Sequence, residues 1–241
     1  MAGEAFLPDR VELELAGPSK TAAQVSGYLR KVVHRGELGP GDRLPAERQL
    51  ALTLGVSRDT LREALLDLEH AGYLVRRRGV TGGAFVTDLD EPFAAWRAEI
   101  RSDRARFHDM WDLREAVEVQ IGRLAAERRS ASELADLEET DGALRASTSR
   151  AEFRRTDLFF HGRLAEVARS PRLAALMYAA RGELFSPVEP QVVAARVRRA
   201  ADGHATVIAA IRDKDAGAAE AAMREHLHEA RAEMKKALGM R

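Results

Sequence analysis

The chain has 241 residues, 45% of them hydrophobic and 32% charged, with 38 basic and 38 acidic side chains in formal balance. That length suits one large domain or two ordinary ones, and the apolar content is enough for a real core. The absence of cysteine excludes disulfides and thiolate metal sites. No apolar run approaches a membrane span and the N-terminus shows no charged-then-apolar signal pattern, so the expectation is a cytoplasmic protein with no membrane partner. Aromatic residues make up only 5% while alanine, leucine and arginine are plentiful, which favours helices over sheets.

Residues 1–19 carry one basic and four acidic side chains, show no period, and contain Pro8, Gly17 and Pro18; they read as a loose arm. Residues 20–86 carry eleven basic and seven acidic side chains, a modest surplus that fits a compact DNA-binding module. Thr21–Arg35 is expected to be an amphipathic helix with Val25, Leu29, Val32 and Val33 inward. Pro40–Gly41 is a turn signal. Two short helices follow. The first puts Leu50, Ala51 and Leu54 on one face and ends at Gly55, which can take the left-handed conformation of a helix stop. The second starts at Ser57, placed as an N-cap, with Leu61, Ala64, Leu65 and Leu68 as its apolar stripe. Arg58 and Arg62, four residues apart, share its other face at the N-terminal end, where a helix-turn-helix reads DNA. A wing is expected next, with strands at Tyr73–Arg77 and Ala84–Thr87 around Gly79, Gly82 and Gly83. The module ends near Asp88, and an acidic connector runs from Asp88 to Pro92.

From Phe93 onward only helical periods are seen, broken near Ser102, Ser130, Ser147, Ser170, Pro187–Pro190 and Asp213–Gly217. The fold expected is therefore mainly α: a winged helix-turn-helix at 20–88 and an all-α helical bundle at 89–241. In the second domain Asp157 and His161 stand four apart, on one helix face. His204 and His226 each lie eleven residues from Asp215, the centre of a helix–helix turn, so an antiparallel hairpin would set them at one level. One carboxylate and three imidazoles suit zinc, nickel, manganese or iron. Polar core histidines, or surface residues spaced by chance, would give the same pattern. His228, two residues past His226, points elsewhere and is left out.

The Pro40–Gly41 turn, LPAER at Leu44–Arg48, GVSRDTLREAL at Gly55–Leu65, AGYL at Ala71–Leu74 and the glycine turn before Phe85–Val86 together resemble the DNA-binding domain of the GntR family of bacterial regulators. The resemblance implies that Arg48, Arg58 and Arg62 are the main DNA-contacting arginines, with Thr60 and Arg78 at the backbone or groove. The wing turn is slightly longer than the family's G-x-G. The helical part resembles the ligand-binding domain of the FadR-type subfamily, the FCD domain, through LREAVEVQIGRLAAER at Leu113–Arg128, DLFFH at Asp157–His161 and the run His204–Leu227. In that subfamily the positions of Asp157, His161, His204 and His226 hold a divalent metal, which implies zinc here, with nickel or manganese as alternatives. The resemblance also implies a small organic acid as effector, with Arg114 facing it. Ser170 stands where the subfamily often has asparagine. An ion pair of Arg114 with Glu118, four residues on, is the competing reading of that arginine.

Enzyme activity is the other class to weigh. Three histidines and an aspartate could activate water, as in a metal-dependent hydrolase. His108–Asp109 spells the dipeptide of a phosphohydrolase class, but the upstream histidines, His34 and His70, lie inside the winged module. No serine elbow, phosphate loop or Rossmann fingerprint is present, so no catalytic residues are assigned and the protein is expected not to be an enzyme. The expectation is a homodimeric, metabolite-responsive repressor on an inverted-repeat operator in double-stranded DNA.

Overall fold

A computed structural model describes residues 20–79, 82–185 and 193–240. The expected arm at 1–19 and the break at Pro187–Pro190 lie outside the described residues. The chain divides into two compact units at Ala98 and Glu99.

The first unit opens with α1 (Ala22–Arg35), started by a reciprocal capping box between Thr21 and Gln24 and stopped by Gly36 in the left-handed region. α2 (Glu47–Leu54) ends at Gly55, also left-handed at φ 64°. α3 (Arg58–His70) starts where the Ser57 hydroxyl accepts the Thr60 N–H at 3.0 Å. Both α1 and α2 pack on α3. Val25, Leu29, Val32, Leu50, Leu54 and Leu61 are at most 1% exposed, so the expected stripes form the core of this unit. Each such side chain contributes roughly 1.5–3 kcal/mol by leaving water.

β1 (Leu74–Arg77) and β2 (Gly83–Val86) pair antiparallel, with Leu74 opposite Val86 and Arg77 opposite Gly83. Residues 41–44 lie along the free edge of β2, where Gly41 N–H donates to Val86 O and Leu44 N–H to Ala84 O, both at 2.9 Å. Both strands differ from expectation by a residue. Tyr73 and Thr87 keep only half of a ladder pair: Thr87 N–H donates to Tyr73 O at 3.1 Å, but Tyr73 N–H is taken by Leu68 O at 2.9 Å.

α4 (Asp90–Ser102) begins inside the stretch expected to be a connector. Asp90 and Glu91 in its first turn favour a helix N-terminus, and Pro92 in that turn loses no hydrogen bond. A Cβ at Gly72 would meet Glu91 and Pro92, so these first turns pack back on the first unit and the division falls ten residues past Asp88.

The second unit is all-helical among its described residues. α5 (Arg104–Arg128), α6 (Ala131–Arg145), α7 (Arg150–Val167), α8 (Pro171–Glu183), α9 (Val193–Arg212) and α10 (Ala216–Leu238) follow in order. Serine capping boxes start α6 (Ser130 with Glu133) and α7 (Ser149 with Glu152), and Asp215 caps α10. α10 packs on α5 and α9, α6 on α7 and α9, and α8 on α5. Ile121, Phe160, Leu164, Met177, Ile211 and Met223 sit at the centre of the apolar core. No described helix is long and apolar enough to cross a membrane.

Candidate metal centre and nucleic-acid interface

Asp157 and His161 project from one face of α7, His204 comes from α9, and His226 from α10 across the turn at Asp215. One ligating atom from each of the four lies within 4.8 Å of the others. Asp157 Oδ1 stands 3.6 Å from His204 Nε2 and 3.9 Å from His161 Nε2, too far for hydrogen bonds and close enough to share an ion. His161 Nε2 and both ring nitrogens of His204 are buried without a hydrogen-bond partner. Such orphaned nitrogens, converging with a carboxylate oxygen, fit a divalent cation of the zinc type.

The electrostatics favour the ligating forms. Burial, and then the His226 and His161 rings, push His204 well below the ordinary histidine range; burial, and then the His161 ring, push His226 down to about 3. Burial followed by Arg181 lowers His161 as well. All three rings are thereby held neutral near pH 7. Burial raises Asp157, but Arg181 and the histidines outweigh it and the carboxyl stays below its usual value.

A second layer of charge surrounds the four. Glu118 Oε2 lies 2.6 Å from His161 Nδ1. Arg181 donates to both Glu118 oxygens, at 3.2 and 3.0 Å, and also to Asp157 Oδ2. Arg114 donates from Nε to Glu118 Oε1 at 2.6 Å, and its guanidinium lies 4.8 Å from the Trp111 ring centroid. The Arg114–Glu118 pair is therefore buried rather than superficial, and among the described residues Arg114's terminal nitrogens have no hydrogen-bond partner. Burial opposes charge on Glu118, yet Arg114 and Arg181 hold it well below the usual carboxylate range. Phe160 stacks on His204, with centroids 3.7 Å apart. Sequence reading missed the part played by Glu118, Arg181 and Phe160. The Arg114/Glu118 spacing was the one available signal. His228 pairs with Glu115 on the surface, at 3.2 Å.

In the first unit, Arg58, Thr60 and Arg62 occupy the first turns of α3, Arg48 the start of α2, and Arg78 the position just past β1. Arg48, Arg58 and Arg78 are exposed and form no ion pair among the described residues. Arg62 is held by Glu47 of α2 at 3.0 Å and by Asp59 at 3.5 Å. The Thr60 hydroxyl is engaged with Ser57 at 2.7 Å. Glu47, the acid of the LPAER run, thus orients the Arg62 fork.

A winged helix-turn-helix joined to an all-helical domain with a buried histidine–carboxylate cluster defines a two-domain bacterial transcription regulator. Residues 21–86 match the bacterial regulatory proteins of the gntR family, and residues 109–229 match the FCD domain. The L-lactate dehydrogenase operon regulatory protein of Escherichia coli (strain K12) is 30% identical over 230 residues, covering 87% of this chain and 84% of that protein. The chain belongs to the GntR family of transcription regulators, with a DNA-binding helix-turn-helix domain and an FCD domain. A protein named as the HTH-type transcriptional regulator RmpR of Mycobacterium gastri is 36% identical over 148 residues, covering 61% of this chain and 54% of that protein. The solved structure of E. coli McbR/YncC aligns with a TM-score of 0.55 over 90% of this chain and 97% of that one; at 19% identity it speaks for the fold alone.

Proposed function

We propose that this chain is a homodimeric, metabolite-responsive repressor, cytoplasmic and associated with the nucleoid when bound to DNA. Its winged domain, 20–88, reads one half-site of an inverted repeat through Arg48, Arg58, Thr60, Arg62 and Arg78. A dimer is required because a single winged module spans too few base pairs for useful specificity. Its helical domain, 89–241, holds one divalent metal, zinc in the first place, on Asp157, His161, His204 and His226. When bound, the ion supplies a cationic anchor for a small carboxylic acid. Arg114 contributes the second contact, its terminal nitrogens forming the fork that matches a carboxylate's two oxygens.

The observation that carries this reading is the set of buried, unpartnered imidazole nitrogens within ligating reach of Asp157. For control of transcription, the acid must bind differently to the DNA-competent and incompetent states; coupling of roughly 1–3 kcal/mol changes DNA affinity about 5–150-fold. The test is a mobility shift on the chain's own promoter region with and without chelator, joined to calorimetry with hydroxy, keto and sugar acids. L-lactate belongs in the panel because one relative is named for an L-lactate dehydrogenase operon. An acid that binds wild type, Arg114→Ala and metal-stripped protein equally well would place the effector elsewhere.

A further inference from the structure

We propose that Glu118 and Arg181 are positioning residues that preset His161 and Asp157 for the ion, Glu118 by fixing the ring's tautomer and Arg181 by turning one carboxylate oxygen away. The inference rests on the metal reading above and concerns what makes that site competent.

Consider Glu118 first. It is 1% exposed and receives Arg114 and Arg181, so it is an ionised carboxylate and can only accept. The His161 nitrogen 2.6 Å from it, Nδ1, must then carry the hydrogen. The lone pair of a neutral ring is left on Nε2, the atom that faces Asp157 and has no other partner. This is the carboxylate–histidine arrangement that orients metal-bound imidazoles. Its partial counterpart is at His204, whose Nδ1 stands 3.8 Å from Asp141 Oδ1, with both atoms unpartnered.

Arg181 acts on the other ligand. One terminal nitrogen bridges both Glu118 oxygens and the other takes Asp157 Oδ2. Only Oδ1 of Asp157 then faces the histidines, which presets a single-oxygen ligand. The planar guanidinium spans the two carboxylates at once; a lysine ammonium, a point charge on a flexible stem, cannot reproduce that fork. The residues act jointly, since Arg181 also steadies the carboxylate that orients His161.

The test uses the full chain with Co(II) as the probe. In metal-free wild type, nitrogen-15 shifts of His161 should report hydrogen on Nδ1 and a bare Nε2. In Glu118→Gln, whichever way the amide turns, its NH2 faces a donor at His161 or Arg114. That variant should show mixed His161 tautomers, Co(II) affinity lower by about 10–100-fold, and an altered visible Co(II) spectrum. Arg181→Met should lower affinity comparably, and Arg181→Lys should recover only part of it. Folded variants with wild-type affinity and spectrum would overturn the proposal. So would a wild-type His161 protonated on Nε2, a result that needs no variant to fold. Wild type that takes up no Co(II) would instead remove the metal reading, and the frame's role with it.

Discussion

The ring of His226 occupies the space that a Cβ at position 203 would need: an alanine there would run into His226 Nδ1. Gly203 lies inside α9, one residue before His204, where glycine costs a helix roughly 0.5–1 kcal/mol relative to alanine. Gly203→Ala should therefore displace the imidazole. Zinc affinity, read by competition with a chromogenic chelator, should fall on the order of tenfold or more. The metal-free melting temperature should move little, since helix propensity and crowding act in opposite directions. Unchanged affinity would mean that His226 is not held where the ion binds.

A pair of histidine variants separates site from surface. His226→Ala should sharply lower metal content by elemental analysis, from about one ion per chain expected for such a ligand set. His228→Ala should not, because His228 faces solvent and Glu115. Ions bound only by the folded form shift the folding equilibrium, so added zinc should raise the melting temperature of wild type and of His228→Ala, but not of His226→Ala. Equal metal in both variants would reject the ligand set.

The Arg62–Glu47 contact predicts a graded loss of base preference. Arg62→Ala should weaken operator binding by about 1–3 kcal/mol and blur discrimination, if the guanidinium reads a base edge. Glu47→Ala should do the same more mildly, because it frees the arginine without removing it. Fluorescence anisotropy on single-base operator variants distinguishes the outcomes. Uniform weakening on every sequence would assign Arg62 to phosphate, and no weakening would remove it from the interface.

Acid stability offers a check on the capping box of α6. Hydrogen bonds from Ser130, and then Arg169, keep the Glu133 carboxyl below its usual value. A carboxyl depressed on folding stabilises above its unfolded pKa, and that contribution disappears as pH falls through the lowered folded value. Glu133→Gln should therefore melt below wild type at pH 7, and the gap should close as pH drops below the ordinary glutamate range. A gap that stays constant with pH would mean that the carboxylate charge plays no part in the cap.

How much of this was legible beforehand follows from distance along the chain. Ser57, Gly55 and the Leu61–Leu68 stripe could be read because caps and helical periods are local. Asp157 and His161 are one turn apart, and His204 and His226 are related by a short turn at Asp215, so local geometry also brings them together. Arg181 could not be found this way. It is 63 residues from Glu118 and 24 from Asp157, and only the packing of α8 against α5 and α7 unites them. Burial of the Arg114–Glu118 pair was equally hidden, because the same spacing occurs on solvated helix faces. Strand limits and the start of α4 differed where the turn before β1 took the Tyr73 N–H and where the acidic stretch at Asp90 began a helix.

Glu118, Asp157 with His161, Arg181, His204 and His226 come from five helices, α5, α7, α8, α9 and α10, and meet at one point. Contacts between segments so far apart in the chain raise the contact order, and high contact order slows folding. If the polar knot closes after the folding transition state, its loss speeds unfolding and leaves the folding rate unchanged. On that order of events, the same buried cluster is also a latch on the lifetime of the helical unit.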